Sequence, residues 1–95
     1  FNTAVRAGLD LIVIVCNDAA YGAEHVQLRD RQMDAAIATF DWPDFASLAT
    51  ALGGTGVTVA GPEDLTAAEK ALNARVRPLL VDIRLDPDAV PRLHL

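Results

Sequence analysis

The chain has 95 residues, 52% of them hydrophobic, with thirteen acidic against eight basic side chains and a net charge of −5. That length supports one small α/β core, burying only about 60–65% of the unfolded surface. The acidic balance speaks against a nucleic-acid binder, and no segment approaches the ~18 continuous apolar residues of a membrane span. A single cysteine, Cys16, rules out an intrachain disulfide and suits a reducing compartment, so a cytoplasmic location is expected.

The chain opens at Phe1, and Asn2–Ala7 already reads as helix, with Gly8 where a left-handed cap would sit. An element that begins without lead-in suggests that a longer protein has been cut here. The run Leu11-Ile12-Val13-Ile14-Val15-Cys16 is continuous and largely β-branched, the pattern of a strand covered on both faces of a parallel sheet. It stops at the small and polar residues Asn17-Asp18-Ala19-Ala20-Tyr21-Gly22, a loop. The following stretch, 23–41, is polar at Arg29, Asp30, Arg31, Gln32 and Asp34, with scattered apolar residues. It is compatible with a helix, a loop, or one after the other.

Pro43 suits a first helical position, and Asp44 the positive end of the dipole. Phe45, Leu48, Ala49 and Leu52 then share one helical face, ended by Gly53-Gly54. Val57–Ala60 is a short strand, and Gly61-Pro62-Glu63-Asp64 opens another helix whose stripe is Leu65, Ala68, Leu72 and Val76. Pro78 precedes the last strand, 79–85, and Pro87 closes it. Strands alternating with helices predict one domain, a three-layer α/β fold with a parallel sheet and right-handed crossovers.

In such sheets ligands bind beyond the carboxyl ends of the strands. The richest such end is Asn17–Glu24, with an amide, two carboxylates, a phenol, a glycine and two alanines that allow close backbone approach. Oxygen donors of this kind suit a hard cation such as Mg²⁺, and Asp18 is the sole ionised group of the Asn17–Gly22 turn. The alternative is that Asn17 and Asp18 simply cap a turn or the next helix, which the residues read by themselves favour. The Gly53-Gly54-Thr55-Gly56 run lacks the Lys-Ser/Thr of a phosphate loop and reads as a helix cap and turn. Cys16 reads as a small core residue, and His25 and His94 as isolated surface histidines.

At Asn17-Asp18-Ala19-Ala20-Tyr21-Gly22 the chain resembles the thiamine-diphosphate enzymes of the pyruvate decarboxylase, acetolactate synthase and benzoylformate decarboxylase superfamily. Their cofactor motif runs from Gly-Asp-Gly to Asn-Asn, small residues and often Tyr-Gly. Thr3–Leu9, Asp44–Ala49 with Leu52-Gly53, Gly61–Leu65 and Pro78–Ile83 are similar, in order, to the helix and strand boundaries of that domain. The resemblance spans essentially the whole chain and is weakest over 23–41. It implies a partial thiamine-diphosphate-binding fold, residues 1–95 being the C-terminal part of the cofactor domain of a larger chain.

By position, the resemblance places Asp18 and the Ala20 carbonyl as Mg²⁺ ligands. It places Asn17 near the cofactor diphosphate, with Tyr21, Gly22 and Ala23 facing the cofactor. Glu24 falls where the pyruvate decarboxylase branch carries a glutamate that works on intermediates, a general acid/base role. Asp for the second Asn, and two alanines for glycines, depart from the pattern. The implied parent is a homo-oligomeric 2-keto acid decarboxylase or carboligase using thiamine diphosphate and Mg²⁺, with the isolated chain inactive. The competing expectation is a non-catalytic α/β module whose Asn17–Gly22 turn is structural and whose role is subunit contact.

Overall fold

A computed structural model of the chain describes residues 1–74, 76 and 78–89. His94 lies outside the described residues. Among the described residues, four α-helices and three strands follow in the order α1 (Asn2–Arg6), β1 (Ile12–Asn17), α2 (Gly22–Asp30), α3 (Phe45–Ala51), β2 (Thr55–Val59), α4 (Leu65–Ala74) and β3 (Leu79–Arg84), with short 3-10 turns at Ala35–Ala38 and Pro62–Asp64. No helix among the described residues is long and apolar enough to cross a membrane.

The strands form one all-parallel sheet in the order β1-β3-β2, so the last strand in sequence is the middle one in space. Ile12 pairs with Leu79 and Asn17 with Arg84 on one side of β3, while Thr55 pairs with Leu79 and Val59 with Ile83 on the other. Because side chains alternate across a strand, this register divides the sheet into two faces. Leu79, Val81 and Ile83 share one face with Val57 and Val59, and there Ala68 and Ala71 of α4 complete the core. Leu80, Asp82 and Arg84 share the opposite face with Gly56 and Thr58, against which α3 lies. The chain steps from β1 across to β2 and then back to β3, with α3 and α4 on opposite faces. Opposite steps on opposite faces give both crossovers one hand, the right-handed one by the general rule.

Three helices end alike. After α1, α2 and α3, the residues Gly8, Gln32 and Gly53 adopt positive φ (63°, 56° and 96°). In each case that residue's own amide and the next one reach back to the last turn, as with Gly8 N–H to the Val5 carbonyl (3.2 Å) and Leu9 N–H to the Ala4 carbonyl (3.0 Å). This is the Schellman arrangement, which satisfies carbonyls a helix end would otherwise leave open. The stretch 23–41 is thus a helix followed by a 3-10 turn.

Several expectations are corrected. Helix α3 starts at Phe45 instead of Pro43, with Asp44 as its N-cap residue; Pro43 lies before it, outside any helix or strand. Strand β2 begins at Thr55 and contains Gly56, so the glycine run supplies a cap and then a strand. The described part of α4 ends at Ala74, short of Val76. Strand β1 is covered on one face only: Ile12 and Ile14 remain 38% and 59% exposed, and Cys16 is exposed as well. The reason is geometric, since those three side chains lie on the α4 face while α4 reaches only β2 and β3.

Gly56 marks the closest approach of helix to sheet. A Cβ there would lie 2.1 Å from the Ala46 carbonyl oxygen and 2.5 Å from its Cα, backbone atoms that cannot step aside. Gly56→Ala is therefore expected to destabilise the chain by about 3 kcal/mol through forced separation of α3 from β2. Denaturant unfolding of the two proteins checks this.

Candidate functional site

Strand β1 delivers the Asn17–Gly22 segment to the carboxyl edge of the sheet. The segment is held in place by two Asx turns: Asn17 Oδ1 accepts from the Ala19 N–H (3.0 Å) and Asp18 Oδ1 from the Ala20 N–H (3.1 Å). Ala19 consequently takes φ 54°, a left-handed conformation uncommon for a residue with a Cβ. A short antiparallel bridge between Ala20 and Thr39 fixes the far side, with Tyr21 N–H donating to the Ala38 carbonyl and Phe40 N–H to the Ala19 carbonyl, both 2.8 Å. The Ala20 carbonyl takes no part in these bonds.

Over the bridge stand three aromatic rings. Tyr21 and Phe40 have centroids 4.5 Å apart, and Phe40 stacks on Trp42 at 4.4 Å. Such contacts contribute beyond area burial, and they hold the 39–42 segment against the turn. Two hollows result. One, of about 430 Å³, opens between Asn17, Ala19, Phe40, Trp42 and Arg84. The other, of about 300 Å³ and mostly apolar, opens between Tyr21, Glu24, Leu28, Arg31 and Ile37.

The residues singled out in sequence therefore fall in two groups. Asn17 lines the first hollow and Tyr21 and Glu24 the second, while Asp18, Ala20, Gly22 and Ala23 line neither. Asp18 is half-buried, and its Oδ2 lies where a Cβ on Gly22 would come within 2.7 Å, so glycine at that place leaves room for the carboxylate. The carboxylate thus sits beside the amino end of α2, where the helix dipole favours negative charge. Glu24 lies exposed in the first turn of the same helix. Among the described residues no three His, Cys, Asp or Glu side chains gather as a metal site. The available donor set is one free carboxylate edge and backbone carbonyl oxygen. That set fits a hard cation holding most of its coordination on phosphate and water, and it does not fit zinc.

Two polar assemblies escaped the sequence reading. His25, expected at the surface, is 5% exposed: its Nε2 lies 2.8 Å from Asp88 Oδ1, which also accepts from Arg29 Nη1 at 2.7 Å. This pins α2 to the turn after β3. Secondly, Asp82 is fully buried in the middle strand and accepts from Asn17 Nδ2 at 3.3 Å, while Arg84 donates to Asp44 at 3.0 Å. A lone carboxylate within Leu79–Ile83 was the signal for the latter; the former joins residues 63 apart and left none.

The family model described as the thiamine pyrophosphate enzyme C-terminal TPP-binding domain matches residues 1–83. No curated protein matches the chain.

Two outcomes follow from this geometry. Ala19→Gly relieves the left-handed strain and is expected to raise stability by about 0.5–1 kcal/mol, read from chemical unfolding. The hydrogen bond from His25 holds the Asp88 carboxyl below its ordinary value of 3.8, against the opposing pull of burial, with Arg29 adding to the lowering. A lowered carboxyl stabilises the fold above its unfolded pKa, and the benefit disappears as pH falls through the folded value. Asp88→Asn should accordingly depress the thermal midpoint at about pH 6 and make little difference at about pH 2.5.

Proposed function

The chain belongs to the C-terminal TPP-binding domain family of thiamine pyrophosphate enzymes, and from that premise we propose that the Asn17–Glu24 segment receives the cofactor's diphosphate through Mg²⁺. The observation that carries this reading is the Asp18 carboxylate, held at the carboxyl end of a parallel strand with one oxygen spent on the Ala20 amide and the other facing the bare Cα of Gly22. Asp18 and the Ala20 carbonyl would hold the metal, and Asn17 would stand beside the diphosphate. Tyr21, Gly22 and Ala23 would border the remainder of the cofactor.

When bound, the cofactor supplies a nucleophilic carbon and an electron sink for a 2-keto acid, as in the decarboxylase or carboligase chemistry that the resemblance implies. The contribution of this chain is orientation and charge. Asp18 adds a negative charge where an amide is the usual group, which strengthens attraction for the cation and opposes the diphosphate. Glu24 borders the apolar hollow with Tyr21 and Leu28. A carboxyl there can carry a proton to or from a substrate seated in that hollow.

The remaining metal ligand and the group that activates the aminopyrimidine belong, on this reading, to polypeptide beyond these residues. Homo-oligomer assembly is part of the same proposal and is supported by the exposed apolar row Ile12, Ile14 and Cys16 on β1. That row also favours the second reading, a subunit-contact module whose turn is merely structural.

Calorimetric titration of the parent protein with thiamine diphosphate, with and without Mg²⁺, separates the two. Magnesium-dependent binding that weakens about tenfold or more in Asp18→Ala is expected, as for loss of a charge-assisted ligand. Binding that ignores both Mg²⁺ and the substitution would leave the contact module as the better account.

A further inference from the structure

We propose that Asp82 is a positioning residue for the Asn17–Gly22 turn, acting through the side chain of Asn17. The proposal takes from the preceding section only the reading that this turn meets a diphosphate.

Asp82 lies in the centre of the sheet, paired in register with Val15 on one side and Thr58 on the other, and is 0% exposed. Its Oδ2 accepts from Asn17 Nδ2 and lies 3.7 Å from Arg84 Nε. Its Oδ1 is buried with no hydrogen-bond partner among the described residues. Leaving a buried acceptor open is destabilising, and an apolar side chain of similar size would fill the place without that penalty. Stability alone therefore gives no reason for a carboxylate between Val81 and Ile83 in the middle strand.

Orientation does give one. An ionised carboxylate only accepts, so of the two ends of the Asn17 amide only the NH₂ can face it. That choice turns Asn17 Oδ1 away from the sheet and toward the Ala19 N–H, which it accepts at 3.0 Å. With the amide reversed, oxygen would face carboxylate and NH₂ would face N–H, two repulsive contacts in place of two bonds. The Asn17 bond in turn holds Ala19 at φ 54°. The Ala19 peptide then sets the direction of Ala20, whose N–H is held by Asp18. A buried charge thus selects one of two amide orientations, and that orientation selects the backbone of the turn. Arg84, tied to Asp44 on the outer side, closes the set of charged groups around Asp82.

The test uses the 95-residue chain, amide hydrogen exchange and chemical shifts by NMR, thermal unfolding, and titration with Mg²⁺ plus inorganic diphosphate. Asp82→Leu is expected to keep the thermal midpoint while the Ala19 amide exchanges about tenfold faster, the loss of one aligned hydrogen bond. Diphosphate affinity should fall by a similar factor. Asn17→Asp alone, which sets two carboxylates against each other, should do the same. The reciprocal pair Asn17→Asp with Asp82→Asn restores donor against acceptor and should return Ala19 exchange to within about twofold of the parent.

Unchanged Ala19 exchange in Asp82→Leu overturns the proposal, whatever happens to binding. Should that variant fail to fold, the reciprocal pair decides: no recovery relative to Asn17→Asp overturns it equally. Recovery of exchange in a chain that never binds Mg²⁺-diphosphate upholds the positioning role and removes the diphosphate reading instead.

Discussion

The pairing of β3 on both edges is the constraint from which the rest of the molecule follows. Neither outer strand touches the other; each is in the sheet only because residues 79–84 lie between them. The core is built around the same strand, with Leu79 fully buried and Val81 nearly so. The carboxyl ends of β1 and β3 come level as Asn17 and Arg84. Because that level is shared, the Asn17 amide can reach Asp82 across 65 residues of sequence and the two charged partners of Arg84 can gather beside it. Site and fold are in this sense one register.

The local chemistry around Asn17 obeys a different logic, that of small groups substituting for one another. Two aspartate-type side chains, Asn17 and Asp18, each bind the amide two residues ahead, so the backbone turns without help from glycine at Ala19. The bend is strained at that residue, and the strain is held by the bridge to Thr39 and the cluster of three rings. Glycine is retained where a Cβ would strike something: at Gly22, beneath the Asp18 carboxylate, and at Gly56, beneath the backbone of α3.

Much of this was legible in the sequence because local signals and tertiary structure agree. The helix over Phe45–Ala51, the Gly-Pro-Glu-Asp helix start and the Pro78-led strand each depend on neighbours a few residues away, although Leu48 of the expected apolar face stays 46% exposed. What could not be read depends on distant partners. The run Leu11–Cys16 announces a strand able to be covered on both faces, but whether Ile14 is covered depends on how far α4 extends across the sheet. His25 sits in a polar stretch, and its burial comes from Asp88 at the other end of the chain. The candidate site was visible as a composition, Asn17 to Glu24, but not as a geometry. Nothing in the order of those residues told that Asn17 and Glu24 would face separate hollows.

The ring cluster over the turn has a practical corollary. Trp42 is the single tryptophan of the chain, and it borders the hollow shared by Asn17 and Arg84, away from the core under α4. Its emission therefore reports on the carboxyl edge of the sheet and on little else. The molecule carries a built-in optical probe at the place where its chemistry is expected, with no labelling required.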